Sequence, residues 1–270
     1  MKIDGVFYKE NSTLGDVLED LAFIVSSSKY SRNFSMKGMF VLSSALRGNI
    51  AEEKIIGTRD IDMDVDNRDV WLDFVANATE LFNENTRLQG FYETITDMAL
   101  RESGESGKLK IQFTTNNDEI HKTHIDMNIR ELGPQTKFIL PNLEFTATSL
   151  VVSLCDKIAV VSDAKMIQRR LKDLYHLYLM SSIMQFSVVN FLSVWNKRGR
   201  KFMSPPAILQ GDIISAIEEQ YNTRFAMRDI VSFQEVYTQA IRFIDPLLVV
   251  LSGVRDTTHL RWDKEKGWMS

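Results

Sequence analysis

Residues 57–69 read GTRDIDMDVDNRD, and the acids fall at every second position: Asp60, Asp62, Asp64 and Asp66, with Ile61, Met63 and Val65 between them. Side chains alternate across a β-strand, so this spacing predicts a strand with its carboxylates on one face and its apolar side chains on the other. Like charges placed this way repel, so either water screens that face or something positive lies against it. Consecutive same-face positions are roughly 6.5–7 Å apart. Two neighbouring carboxylates can therefore reach one divalent cation, whereas all of them cannot. Hard cations such as Mg²⁺ take oxygen ligands and commonly bind through one or two carboxylates together with substrate phosphates. Asp60 with Asp62, or Asp62 with Asp64, is the pair this pattern offers.

Two other readings compete. A solvated edge strand would use such charges to block pairing with another sheet. In a calcium loop, Asp62, Asp64, Asp66 and Asp73 would take the first, third, fifth and twelfth positions. Against the loop, Asn67 stands where the turn glycine belongs, Asp69 where an apolar residue belongs, and no helix directly precedes it. A further acid, Asp126, lies between Ile125 and Met127 on a second alternating stretch. From a neighbouring strand it could complete a metal site or take a proton from an attacking hydroxyl.

Around the acidic strand the periodicity sets out the rest of the chain. Residues 13–26 carry Leu14, Val17, Leu18, Leu21, Ala22 and Val25 at helical spacing, and residues 70–82 do the same with Trp71, Phe74, Val75, Ala78, Leu81 and Phe82. An apolar segment, residues 36–48, leads into a loop over 49–54. Residues 89–100 fit neither period. Gly104, Ser106 and Gly107 mark a turn, KLKIQFTT (108–115) and THIDMNI (123–129) alternate as strands, and Asn116, Asn117 and Asp118 between them predict a hairpin. After Thr148 the pattern becomes helical, over 149–162, 165–186, 207–219 and 233–249, with a bend or break at Pro246. The expected fold is α+β at the front and all-α at the back, with a seam in residues 133–148, where Gly133, Pro134 and Pro141 fall. This gives two domains, 1–145 and 146–270.

Composition narrows the class. At 44% hydrophobic and 25% charged residues the chain reads as an ordinary globular protein, and no apolar run is long enough to span a bilayer. The net charge of −4 argues against indiscriminate coating of nucleic acid. The first sixteen residues mix acids with lysines and predict no secretory signal. With Cys155 the single cysteine, no internal disulfide forms, and a reducing cytoplasm is the expected setting.

The helical half carries a second cluster of charge. Lys157 lies among Leu154, Ile158 and Val161, where an ammonium either snorkels to water or projects into a cleft. Arg169 and Asp173 are four apart and suggest an intrahelical ion pair, leaving Arg170 and Lys172 as donors for an anion such as phosphate. His121, His124, His176 and His259 show no metal-ligand spacing and are expected as surface or hydrogen-bonded residues. Trp195, Trp262 and Trp268 are expected in the core or at an interface.

Taken in order, these pieces resemble the nucleotidyltransferase fold, and within it the AbiEii-like family of nucleotidyltransferase toxins from type IV toxin–antitoxin systems. Met36, Lys37, Gly38 looks like the family's Lys-Gly-Gly helix start, and TRDID (58–62) like its Thr/Ser-x-Asp-x-Asp strand. DKIAVVSD (156–163) is similar to its lysine-bearing helix, RRLKDLYHLYLM (169–180) to its Arg-rich Lys-Asp-Leu-Tyr segment, and FIDPLL (243–248) with Trp262 and Trp268 to its C-terminal end. Met39 stands where a second small residue is usual, Ile56 where relatives often have arginine, and His176 where the helical motif has a second aspartate.

The resemblance implies a nucleotidyltransferase-fold catalytic domain with a mixed or antiparallel sheet, followed by an α-helical domain contributing substrate-binding residues. It implies that Asp60, Asp62 and Asp126 are catalytic and hold Mg²⁺, with Mn²⁺ as the other candidate. Gly38 and Thr58 would lie against the phosphates of a nucleoside triphosphate, and Lys157, Arg170 and Asp173 would serve nucleotide or acceptor. The implied partners are the triphosphate, tRNA or another RNA, and a cognate antitoxin protein, with no membrane. The alternative is a protein of this fold with weakened catalysis, acting as a nucleotide-binding or regulatory module.

Overall fold

A computed structural model of the chain describes residues 13–85, 92–100, 105–115, 120–140 and 143–270. The chain divides into two compact units, one made of Met1–Ala45 with Ile56–Thr148 and the other of Leu46–Ile55 with Ser149–Ser270. The fold class is α+β.

The first unit runs α1 (Thr13–Ser27), β1 (Phe34–Lys37), α2 (Gly38–Leu46), β2 (Asp60–Val65), α3 (Arg68–Ala76), α4 (Ala78–Asn85), β3 (Tyr92–Leu100), β4 (Ser106–Thr115), β5 (Ile120–Ile129), β6 (Gln135–Leu140) and β7 (Leu143–Thr148). The seven strands form one mixed sheet in the order β3-β4-β5-β2-β1-β7-β6. β2 is parallel to β5, β1 is parallel to β7, and the other pairings are antiparallel. The acidic strand is therefore central, which overturns the edge-strand reading. Its alternate residues Ile61, Met63 and Val65 are wholly buried. On that side α3 packs against β2, α1 against β7 and α4 against β3. Phe74 lies edge-on to Tyr30, Phe34 and Phe82 and beside Trp71. Each such ring, taken fully out of water, stabilises the unit by roughly 2–3 kcal/mol.

Several boundaries differ from the sequence reading. The apolar segment at 36–48 is the end of one strand and a helix, divided at Gly38, whose φ of +73° turns the chain. The helical pattern at 70–82 is broken at Asn77, whose side chain caps back onto the Asp73 carbonyl at 2.7 Å. Residues 92–100, which fit neither period, form β3. The expected seam is instead built into the sheet as the antiparallel pair β6 and β7. β4 and β5 pair as the hairpin reading requires. Its turn residues Asn116, Asn117 and Asp118, like Gly104 and Pro141, lie outside the described residues.

The second unit contains α5 (Leu150–Ser162), α6 (Ala164–Arg169), α7 (Lys172–Ser181), β8 (Phe186–Ser187), α8 (Val188–Arg198), α9 (Gly211–Arg224), α10 (Phe233–Leu251), β9 (Arg261–Asp263) and β10 (Gly267–Met269). The all-α expectation is thus corrected: β8, β9 and β10 form a small antiparallel sheet. Strands of two or three residues are too short to show alternation. α10 runs unbroken through Pro246. A proline cannot donate to the carbonyl four residues back, here that of Arg242, and the Trp268 indole N–H donates to it at 3.0 Å. Trp262 and Trp268 pack with Phe186 and Phe243, and Trp195 with Phe191; Trp195 and Trp262 are buried core residues of this unit and Trp268 is half-buried. The inserted segment is tied in by the Tyr175 hydroxyl, which donates to the Lys54 carbonyl at 2.8 Å. Among the described residues no helix is long and apolar enough to cross a membrane.

Candidate functional site

The parallel pairing of β2 with β5 sets Asp60 opposite His124, Ile61 opposite Ile125 and Asp62 opposite Asp126. Both isoleucines are fully buried, so alternation places the two acids of β2 and the His-x-Asp of β5 together on the other face. There His124 Nε2 lies 3.2 Å from Asp60 Oδ2 and 3.1 Å from Asp126 Oδ2. The Thr58 hydroxyl donates to Asp60 Oδ1 at 2.6 Å, and Lys108 Nζ lies 3.2 Å from Asp126 Oδ1. The Thr123 hydroxyl donates to the Arg59 carbonyl at 2.5 Å, binding β5 to the lead-in of β2. Hydrogen bonds to Asp126 and then to Asp60 push His124 up to about 9, outweighing burial, which acts the other way. The His124 hydrogen bond in turn holds Asp126 below the usual carboxylate range against its own burial.

The remaining acids of the strand each have a distinct setting. A Cβ on Gly38 would stand 2.1 Å from Asp62 Oδ2, so the Asp62 carboxylate lies against the first residue of α2, where a side chain is excluded. The positive end of a helix favours an anion at such a place. Asp64, offered by the spacing as a metal partner of Asp62, is 1% exposed and meets Lys37 on β1 and Arg130 Nε at 3.1 Å. Burial pushes Lys37 down, against the pull of Asp64. Asp66, at the open end, accepts from the Asn33 amide at 3.1 Å. The repulsion along the strand is therefore relieved acid by acid, by His124, the start of α2, Lys37 with Arg130, and Asn33.

The donors suit a divalent ion. Among the described residues Asp60, His124 and Asp126 offer ligand atoms all within 4.8 Å of one another. Ligands at bonds of about 2.1 Å sit roughly 3.0 Å apart on the edge of an octahedron, close to the observed 3.1 and 3.2 Å. Asp60 and Asp126 are thus brought together as the sequence predicts. Asp62, predicted beside Asp60 as a ligand, is outside the group and lies at Gly38. Thr58, predicted at phosphate, is engaged with Asp60.

Lys157, Arg170 and Asp173 form a cluster of their own in the second unit. Lys157 Nζ donates to Asp173 Oδ1 at 2.9 Å and to His176 Nδ1 at 3.1 Å, and Arg170 Nε lies 2.8 Å from Asp173 Oδ2. The predicted Arg169–Asp173 pair does not form, because α6 ends at Arg169 and the chain turns before α7 begins at Lys172. Burial alone would raise the Asp173 carboxyl. The charge of Lys157, with His176 and Arg170, overrides it and holds the group far below the usual range. Burial pushes His176 down to about 4, and the Lys157 charge acts in the same sense. Its Nε2 is buried without a hydrogen-bond partner among the described residues. Lys157 is 12% exposed and Arg170 48% exposed, so Arg170 is the cation of this cluster that meets solvent.

His124 is the site residue that the sequence reading passed over. Its signal is the matched pair of motifs, His-x-Asp on one alternating stretch and Asp-x-Asp on another, visible once the two strands are placed side by side. No protein-family model matches this chain, and no curated protein matches it.

Proposed function

We propose that the first unit is a divalent-metal-dependent nucleotidyltransferase, moving a nucleoside monophosphate from a triphosphate to an acceptor hydroxyl on the 3′ end of tRNA, on another RNA or on a protein. The reading rests on the resemblance to the AbiEii-like toxins of toxin–antitoxin and phage-defence systems. The observation that carries it is the parallel register of Asp60-Ile61-Asp62 with His124-Ile125-Asp126, ending at the helix start where Gly38 leaves no room for a side chain. A divalent ion, when bound, offsets charge on the phosphoryl oxygens and polarises the phosphorus under attack. Asp60 and Asp126, with His124, would hold it. Thr58 fixes the rotamer of Asp60, and Lys108 keeps Asp126 ionised and positioned. Asp62, adjacent to both, is the base available to an acceptor hydroxyl. In the second unit Arg170, steadied by Asp173, supplies a guanidinium suited to phosphate oxygens.

A second reading, a nucleotide-binding module without catalysis, is favoured by one observation: His124 Nε2 itself lies 3.2 and 3.1 Å from the two carboxylates, in the place an ion would take. Each α-labelled nucleoside triphosphate, incubated with the protein, total RNA and Mg²⁺ or Mn²⁺, separates the two. Transfer of label that falls roughly a hundredfold or more in Asp60→Asn supports the enzyme. Nucleotide binding by calorimetry without transfer supports the module.

A further inference from the structure

The two carboxylates facing His124 are each held from behind. Thr58 occupies Asp60 Oδ1 and Lys108 lies at Asp126 Oδ1, while the Oδ2 atoms of both acids converge on His124 Nε2. Outer partners that fix the rotamers of ligating side chains are a regular part of metal sites. β2 and β5 are adjacent interior strands of the sheet, so the donors stand on rigid elements rather than on loops.

We propose that His124 is itself a metal ligand, so that Asp60, His124 and Asp126 form a three-donor nitrogen–oxygen site that takes a first-row transition ion in preference to Mg²⁺. This deepens the reading above and rests on its premise that this face of the sheet holds a divalent ion. Mg²⁺ demands hard oxygen donors and gives up water reluctantly, whereas an imidazole nitrogen gains affinity along the first transition row. An ion bound at Nε2 takes the place of the ring proton, which leaves to solvent. The separations of 3.1 and 3.2 Å from Nε2 to the two carboxylates are close to ligand edges of such an ion, and all three donor atoms lie within 4.8 Å of one another.

The test uses the full chain and Mn²⁺ alone as the probe, at about pH 8, with the proton released on binding read from the buffer dependence of the calorimetric heat. Pulsed electron paramagnetic resonance of the Mn²⁺-loaded protein should show ¹⁴N modulation from a directly bound imidazole, and His124→Gln should abolish it. By calorimetry the wild type should bind Mn²⁺ at least about tenfold tighter than Mg²⁺, and His124→Gln should erase that preference. Mn²⁺ bound without nitrogen modulation overturns the proposal, as does an unchanged preference in a folded His124→Gln or failure of the wild type to bind Mn²⁺. The wild-type spectrum decides the matter even if the variant misfolds. Label transfer that persists without nitrogen ligation sinks this proposal and leaves the nucleotidyltransferase reading. Nitrogen ligation without label transfer from any nucleotide does the reverse.

Discussion

His124 and His176 each stand beside an aspartate that also meets a lysine, yet the two rings end in opposite charge states. His124 has Asp126, which meets Lys108, and also Asp60, and it is pushed up to about 9. His176 has Asp173, which meets both Lys157 and Arg170, and it is pushed down to about 4. In the first cluster carboxylates outnumber the cations around them, and 27% of the His124 side chain remains exposed, so a proton on the ring is favoured. In the second, the buried carboxylate already has two cations, and a further charge with no water to solvate it is disfavoured. The tertiary neighbours, and not the spacing of His from Asp along the chain, set the charge.

Removing Lys157, the cation that adds to burial in keeping His176 neutral, should have the largest effect. Lys157→Met leaves Asp173 buried without its main partner, and urea denaturation should show a loss of about 3–5 kcal/mol. In the same variant the His176 ring should titrate higher by NMR, because the charge repelling its proton is gone and Asp173 has lost one of its two cations. No destabilisation and no change in titration would break the comparison at this end.

Next in size is the acid limb of the pH–stability curve. The folded-state pKa of His176 lies below its unfolded value of about 6.5, so its contribution is present above that pH and lost as pH falls towards about 4. A shift of this size corresponds to roughly 3 kcal/mol. The depressed Asp173 adds a further loss at still lower pH. His176→Leu should flatten the first of these steps, measured by urea melts across the acid range.

The alkaline limb is the smallest and opposite in sign. The folded pKa of His124 is raised, so its stabilisation is complete below about 6.5 and lost as pH rises through about 9. Partial exposure and screening reduce this to about 1 kcal/mol. The metal-free His124→Gln protein should lack that decline. A wild type whose stability is flat between neutral pH and about 9 would show that the ring is not the counter-ion of the two carboxylates.

Much of the first unit was legible because its strands carry strict alternation. Asp60 to Val65 and the run ending at Ile129 both separate polar from apolar faces, and the register then brings the candidate acids Asp60 and Asp126 together. That register pairs strands far apart in sequence, and no local pattern specifies which residue of β5 faces Asp60, so His124 stayed out of view. The partners of Asp64 were hidden for a related reason: Lys37 and Arg130, which neutralise it, come from separate segments. The β6–β7 pair was read as a seam because Pro134 and Pro141 flank a strand whose side chains are mostly exposed. In the second unit α5 and α10 follow their apolar periods, whereas α8 was not singled out, and the turn at Arg170 left no glycine or proline to mark it.

The segment Leu46–Ile55 belongs to the second unit although it interrupts the sequence of the first. During synthesis at roughly 5–20 residues per second, its Lys54 carbonyl waits on the order of ten seconds for Tyr175 to emerge. A fragment beginning at Ser149 would lack a piece of its own fold, so the two units cannot be separated by a single cut in the chain.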